Sequence, residues 1–215
     1  MRKNLTKIAM GLVFSIALFA CTKEKETIVV PVSAITVNDL AADTVTGLGL
    51  DGRPQSAGTT TYYSLVDNKV VASTDAASTK WDIAFSSTKI LVNNGTSGPG
   101  MGGAFVYVGL FDALKTIPAD SIFAIDNSNA ASFAIPWGSG KAWYTYDGLT
   151  TLVSPIAGRV LVIKTATGKF AKIEILNYYK GGVTLPSTAS VNDKLFKQRY
   201  YTFRYVYQPN GSKVF

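Results

Sequence analysis

The chain of 215 residues has no histidine and a single cysteine, Cys21. Without histidine, the Ser-His-Asp and Cys-His catalytic arrangements cannot be built. Zinc sites made of His and Cys are excluded with them, and one cysteine cannot close an internal disulfide. Acids are also scarce. Beyond Glu24 and Glu26 the only glutamate is Glu174, whose isoleucine neighbours place it on a strand face turned away from the core. Few groups remain that could act as general acid or base near neutral pH, so the chain is read as a non-enzyme. Only Met1, Met10 and Met101 carry a thioether.

The first twenty residues hold three basic residues (Arg2, Lys3, Lys7) and no acid, followed by an uncharged, largely apolar stretch at 8–20. Thirteen apolar residues are too few to span a bilayer, which takes about 20, but they suit the core of a secretory leader. The stretch ends Leu18-Phe19-Ala20-Cys21, which reads as a lipobox with a bulky Phe19. Cleavage before Cys21 would leave that cysteine acylated, and two or more acyl chains anchor a protein stably. Thr22, in place of Asp, gives no inner-membrane retention signal, so the outer membrane is the expected address. The division is a leader over 1–20, a lipid-anchored tether over 21–34 and one domain over 35–215. From Cys21 onward eighteen basic residues face fourteen acidic ones. With no basic run interleaved with aromatics, nucleic acid is not an expected partner.

What is abundant is aromatic and β-branched: eleven Tyr, eleven Phe and three Trp, a composition that favours strands. Strands are predicted at 60–66, 69–73, 80–85, 89–92, 104–108, 142–146, 160–165, 170–178 and 200–208. Asp67-Asn68 and 166–169 read as tight turns between neighbours. Residues 35–58 read as a loose wrap, and 111–116 as a short helical turn. No long amphipathic helix is present, so the fold class is mainly β: a single antiparallel domain with few short helices. Gly98-Pro99-Gly100-Met101-Gly102-Gly103 matches G-x-G-x-x-G formally. A dinucleotide site needs a helix to follow, and here the strand-like AFVYV follows.

Three segments carry a likeness: KWDIAFSSTKILVNNGTSGPGMGGAFV, SPIAGRVLVIKTATGKFAKIEILNYYKG and YYTFRYVYQ. Together with the leader they resemble the HmuY family of haem-binding outer-membrane lipoproteins. The resemblance implies a hand-shaped β domain that pinches haem between finger-like loops and passes it to a TonB-dependent outer-membrane receptor. The founding member holds haem iron between two histidines, which this chain lacks; other members use methionine. The likeness therefore points to Met101, on its glycine-rich loop, as an axial iron ligand. A thioether is soft, neutral and raises the reduction potential. The glycines around it would let the backbone lie close to a flat ligand. The connection at 127–146 offers the remaining candidates. Tyr144 or Tyr146 would bind ferric iron as phenolate, and Lys141 would need to lose its proton first. Five-coordinate iron and no iron contact stand equally open. Trp137 and Trp143 read either as stacking partners for the ring or as core aromatics, and Lys141 and Arg159 as partners for the propionates. The alternative is the same fold binding another porphyrin, a glycan or a protein without iron coordination.

Overall fold

The computed structural model describes residues 32–129 and 132–215. Cys21, the leader and most of the tether lie outside the described residues. Strands follow one another along the chain: β1 (Ile35–Ala41), β2 (Val45–Leu48), β3 (Pro54–Ser56), β4 (Thr61–Ser64), β5 (Lys69–Val71), β6 (Ile83–Ser86), β7 (Lys89–Val92), β8 (Gly103–Val108), β9 (Tyr144–Asp147), β10 (Leu152–Pro155), β11 (Arg159–Lys164), β12 (Phe170–Tyr179) and β13 (Gln198–Gln208). One short helix, α1 (Val191–Lys197), precedes β13. Ser190 caps it by accepting from Asp193 N at 3.0 Å, and its hydroxyl donates to the Asp193 carboxylate at 3.1 Å, so the first turn gains a satisfied backbone donor.

A five-stranded antiparallel sheet in the order β1-β13-β12-β11-β8 packs against a four-stranded sheet in the order β5-β4-β6-β7. Strand alternation sorts the side chains. From the larger sheet, Tyr201, Phe203, Tyr205, Ile173, Ile175, Leu161 and Ile163 point inward to meet Tyr63, Leu65, Ile83, Phe85, Ile90 and Val92 of the smaller one. The intervening residues Val160, Val162 and Val206 face the other way, beneath Phe111, Leu114 and Ile117. The larger sheet is therefore covered on both faces. On that second face Glu174 lies directly opposite Arg204, with Nε to Oε2 at 2.7 Å, as its position between isoleucines predicts. Two hairpins, β2–β3 and β9–β10, form separate two-stranded sheets.

The fold class is as the sequence indicates, and the residues at 35–58 are a correction. They supply β1, which pairs with β13, and the β2–β3 hairpin. Period-two hydrophobicity is missing there because β1 is an edge strand, mostly exposed, and the hairpin stands off the core. The segment at 111–116 makes one hydrogen-bonded turn, Leu114 N to Leu110 O, and goes no further.

Lys172 is buried on the second face. Its ammonium donates to Phe111 O at 2.8 Å and Leu114 O at 2.7 Å and lies 4.5 Å from the centre of the Phe111 ring. Burial, aided by Lys115, holds its pKa below the ordinary lysine value of 10.5. The unfolded chain then binds the proton more tightly than the folded one, so this group adds stability as pH rises through the depressed folded value. In urea unfolding the parent should gain on Lys172→Met as pH rises from neutrality towards 10.5. A difference that does not change with pH would contradict this account.

Candidate functional site

The glycine-rich loop closes on one residue, Asn93. The Asn93 side chain donates to Ser78 O at 2.9 Å and Trp81 O at 2.7 Å and accepts from Gly100 N at 2.9 Å. Its carbonyl accepts from Gly102 N at 2.9 Å. A Cβ at Gly100 would stand 2.7 Å from Asn93 O and 2.9 Å from Ala166 Cβ, and one at Gly98 would collide with the Asn93 amide and the Trp81 ring. These glycines make room for the protein's own asparagine. The expectation that they admit a flat ligand is corrected accordingly. The loop feeds β8, so a helix N-terminus for a pyrophosphate is absent at this position.

Met101 emerges on the outside of this loop, 54% exposed. Its N–H donates to Ala166 O at 2.9 Å, and its methyl lies close to Gly168 in the β11–β12 turn. That turn is itself tied down by the buried Asp82 carboxylate, which accepts from Ala166 N at 3.0 Å and Leu65 N at 2.8 Å. Burial pushes this carboxyl upward against the opposing pull of the backbone donors.

The other candidates gather at the opposite end of β7. Thr88 accepts twice there: Trp137 Nε1 to Oγ1 at 2.9 Å and Trp143 Nε1 to the carbonyl at 3.1 Å. From Thr88 to Asn93 the chain is extended, roughly 16 Å at about 3.3 Å per residue. Met101 therefore lies towards the end of β7 away from these aromatics. Trp143 and Tyr144 are core residues: Trp143 packs on Tyr144, Tyr178 and Tyr201 with centroids 4.7, 5.6 and 5.2 Å away. Neither presents a free face. Trp137 is partly exposed, with the Lys89 ammonium 5.6 Å from its ring centre. Lys141 is exposed and lies along Gly138. Arg159 sits far off, opposite Val108 on the β8 side of the larger sheet.

Tyr146 differs from its neighbours. It is 50% exposed and lines a cleft of about 270 Å³ between the two hairpins and α1, together with Leu48, Pro54, Val191, Lys194 and Leu195. Leu50 and Leu149, at the two hairpin tips beside this cleft, are almost wholly exposed. Each hairpin is fixed at its base. Asp43 accepts from Ser56 Oγ at 2.8 Å, and its carbonyl accepts from Arg199 at 2.8 Å, which fastens β2–β3 to β13. Val153 N donates to Tyr179 Oη at 2.9 Å and Ile156 N to Trp143 O at 2.8 Å, which fastens β9–β10. An apolar, concave site with a few polar groups is the usual form of a small-molecule pocket. Sequence reasoning finds Tyr146 and misses the rest of the lining, because the cleft is assembled from three segments distant in the chain.

The fold and the cleft together define an all-β protein with a small-molecule-sized site held between hairpins. The sequence matches the family described as HmuY protein over residues 56–188, more than half its length, and the chain belongs to the HmuY family. Members of that family are binding proteins rather than enzymes. Among solved structures, a candidate lipoprotein of Bacteroides fragilis aligns with a TM-score of 0.49 at 15% identity, over 83% of this chain and 91% of that one. An apo HmuY analog of Tannerella forsythia gives 0.46 at 15% identity, over 83% and 96%. A candidate HmuY-like haem-binding protein of Bacteroides vulgatus gives 0.45 at 15% identity, over 81% and 90%. No curated protein matches the chain.

The loop and the exposed methionine make opposite demands on stability. Gly100→Ala should lower the urea midpoint by the equivalent of about 1–3 kcal/mol, the usual cost of overpacking. Met101→Ala should stay within about 1 kcal/mol of the parent. Equal losses in the two variants would mean that the loop is not organised around Asn93.

Proposed function

We propose that this chain is a lipid-anchored haem-binding protein, a haemophore that captures haem for iron uptake. In this reading residues 1–20 are removed, Cys21 carries the lipid at the outer membrane, and residues 21–34 tether the domain. Haem is then passed to a TonB-dependent outer-membrane receptor. The observation that carries the proposal is the apolar cleft around the half-exposed Tyr146 in a chain of the HmuY family. Among the described residues no helix is long and apolar enough to cross a membrane.

Two candidate iron ligands have a free face, Tyr146 and Met101, and they belong to alternative positions of the ring. The cleft favours Tyr146, since the apolar side chains that would cover a porphyrin face are there. A phenolate prefers ferric iron, as in catalase-type haem, whereas a thioether prefers ferrous iron. Of the remaining candidates, Trp137 and Lys141 flank the hairpin side, and Trp143 and Tyr144 support β9 from within the core. The second reading, binding without iron contact, draws on the apolar rim of Leu48, Leu50 and Leu149, which would hold any flat apolar ligand.

Titration of the purified protein with haem, followed through the Soret band in the ferric and dithionite-reduced states, separates these cases. Tyr146→Phe is expected to change the ferric spectrum and leave the ferrous one alone, with Met101→Ala silent in both. A change confined to Met101→Ala in the ferrous state would move the ring to the glycine-loop end. Iron-free protoporphyrin bound as tightly as haem would select the second reading, and no spectral shift in either state would end the haem reading.

A further inference from the structure

We infer that Lys194 selects the ligand of the hairpin cleft by pairing with a peripheral carboxylate, so that the site takes a flat apolar ring bearing a free acid and discriminates against its ester. The inference rests on the reading of that cleft as the haem site.

Lys194 brings a cation to a lining otherwise dominated by Leu48, Pro54, Val191 and Leu195. Its ammonium is held in place by donating to Ser187 O at 2.7 Å. Two of its three N–H donors remain for a ligand. It forms no salt bridge among the described residues, whereas Lys197 in the same helix closes on Asp193 at 2.7 Å. Of the acids beside lining residues, Asp51 pairs with Arg53 at 3.6 Å, and Asp147 is turned into its own hairpin tip, accepting from Thr150 Oγ1 at 2.7 Å and Leu149 N at 2.9 Å. Those two hydrogen bonds, with a lesser contribution from the Lys194 charge, hold its carboxyl below the usual range. Lys194 is thus a positioned ammonium at an apolar site with no carboxylate in contact. A ring that lies against the leucines and ends in a propionate supplies the missing anion.

The two cations that sequence reasoning nominates for this task are elsewhere. Arg159 opens β11 beside β8, and the Lys141 side chain runs along Gly138 outside the cleft. Nothing in the local sequence marks Lys194, which reaches the cleft only because the cap at Ser190 starts α1 where it does.

The test compares ferric protoporphyrin IX with its dimethyl ester, which keeps ring, iron and apolar area and removes both charges. The parent should bind the acid about tenfold or more tightly than the ester, the scale of one charge-assisted hydrogen bond. Lys194→Met should abolish that preference by weakening the acid alone, and Lys194→Arg should retain it. Equal affinity of the parent for acid and ester, or a preference unchanged in Lys194→Met, overturns the inference while the haem reading stands. Binding of neither compound overturns the haem reading, and the inference falls with it.

Discussion

Two phenol hydroxyls on one strand set the relation between the sheets. Tyr201 Oη donates to Ser87 O at 2.7 Å and Tyr205 Oη to Leu65 O at 2.9 Å. Both rings are buried in the main core, and burial pushes both phenols well above their ordinary range. A phenylalanine would fill the same space but take these donors from the buried Leu65 carbonyl, just beyond β4, and the half-buried Ser87 carbonyl, just beyond β6, at about 1–3 kcal/mol for the buried one. The apolar core presses the sheets together without direction; these two bonds choose which turn meets which strand. The first of them reaches the cleft. It fixes Ser87, whose neighbour Thr88 receives the indole N–H of Trp143 and of Trp137. Trp143 in turn accepts the Ile156 N–H behind β10, so the hairpin that carries Tyr146 hangs from the core through this chain of contacts.

Where the sequence is legible, the reason is burial: on alternate residues in β7, and on both faces in β11, which reads as a continuous apolar run. Residues 89–92 alternate cleanly and are β7 as read, and the readings at 104–108, 160–165 and 170–178 fall within a residue of β8, β11 and β12. Asn68 and Gly168 take the positive φ that their turns require. β10 and the 35–58 elements leave no such trace. Their strands are short, edge-lying or standing off the core, so little of their pairing is written as hydrophobic period. The capping signature Ser190-Val191-Asn192-Asp193 is present and would have announced α1, but a seven-residue helix yields too little periodicity to draw attention to it.

The site was less legible than the fold, and the glycine loop shows why. A run of glycines beside a lone methionine reads equally well as an approach for a ligand or as room for a neighbouring side chain. The neighbour that decides the matter, Asn93, lies inside the same segment and looks unremarkable in sequence. In sequence Tyr146 is one of several aromatics at 127–146, and composition alone does not rank it above Tyr144. Trp143 and Tyr144 share its stretch of chain, and Tyr144 even shares a face of β9 with Tyr146; only the run of the strand out of the core, buried at Tyr144 and exposed from the next residue on, leaves one ring outside and two within.

The absence of imidazole changes where affinity for a haem-like ligand must arise. A bis-histidine site draws much of its hold from two iron bonds and can tolerate an open pocket. In the proposed haem reading one phenolate or one thioether is the most that a single ring would meet, since Tyr146 lines the hairpin cleft and Met101 stands on the glycine loop beside the β11–β12 turn. Apolar contact must then supply the larger part, at about 2.5 kcal/mol for each 100 Å² removed from water. In that reading Leu48 and Val191 of the cleft lining, with Leu50 and Leu149 exposed at the hairpin tips, would provide that area. Contact of this kind is indifferent to the oxidation state of iron, so in a chain without histidine the choice of ligand passes from the metal to the shape and charge of the ring.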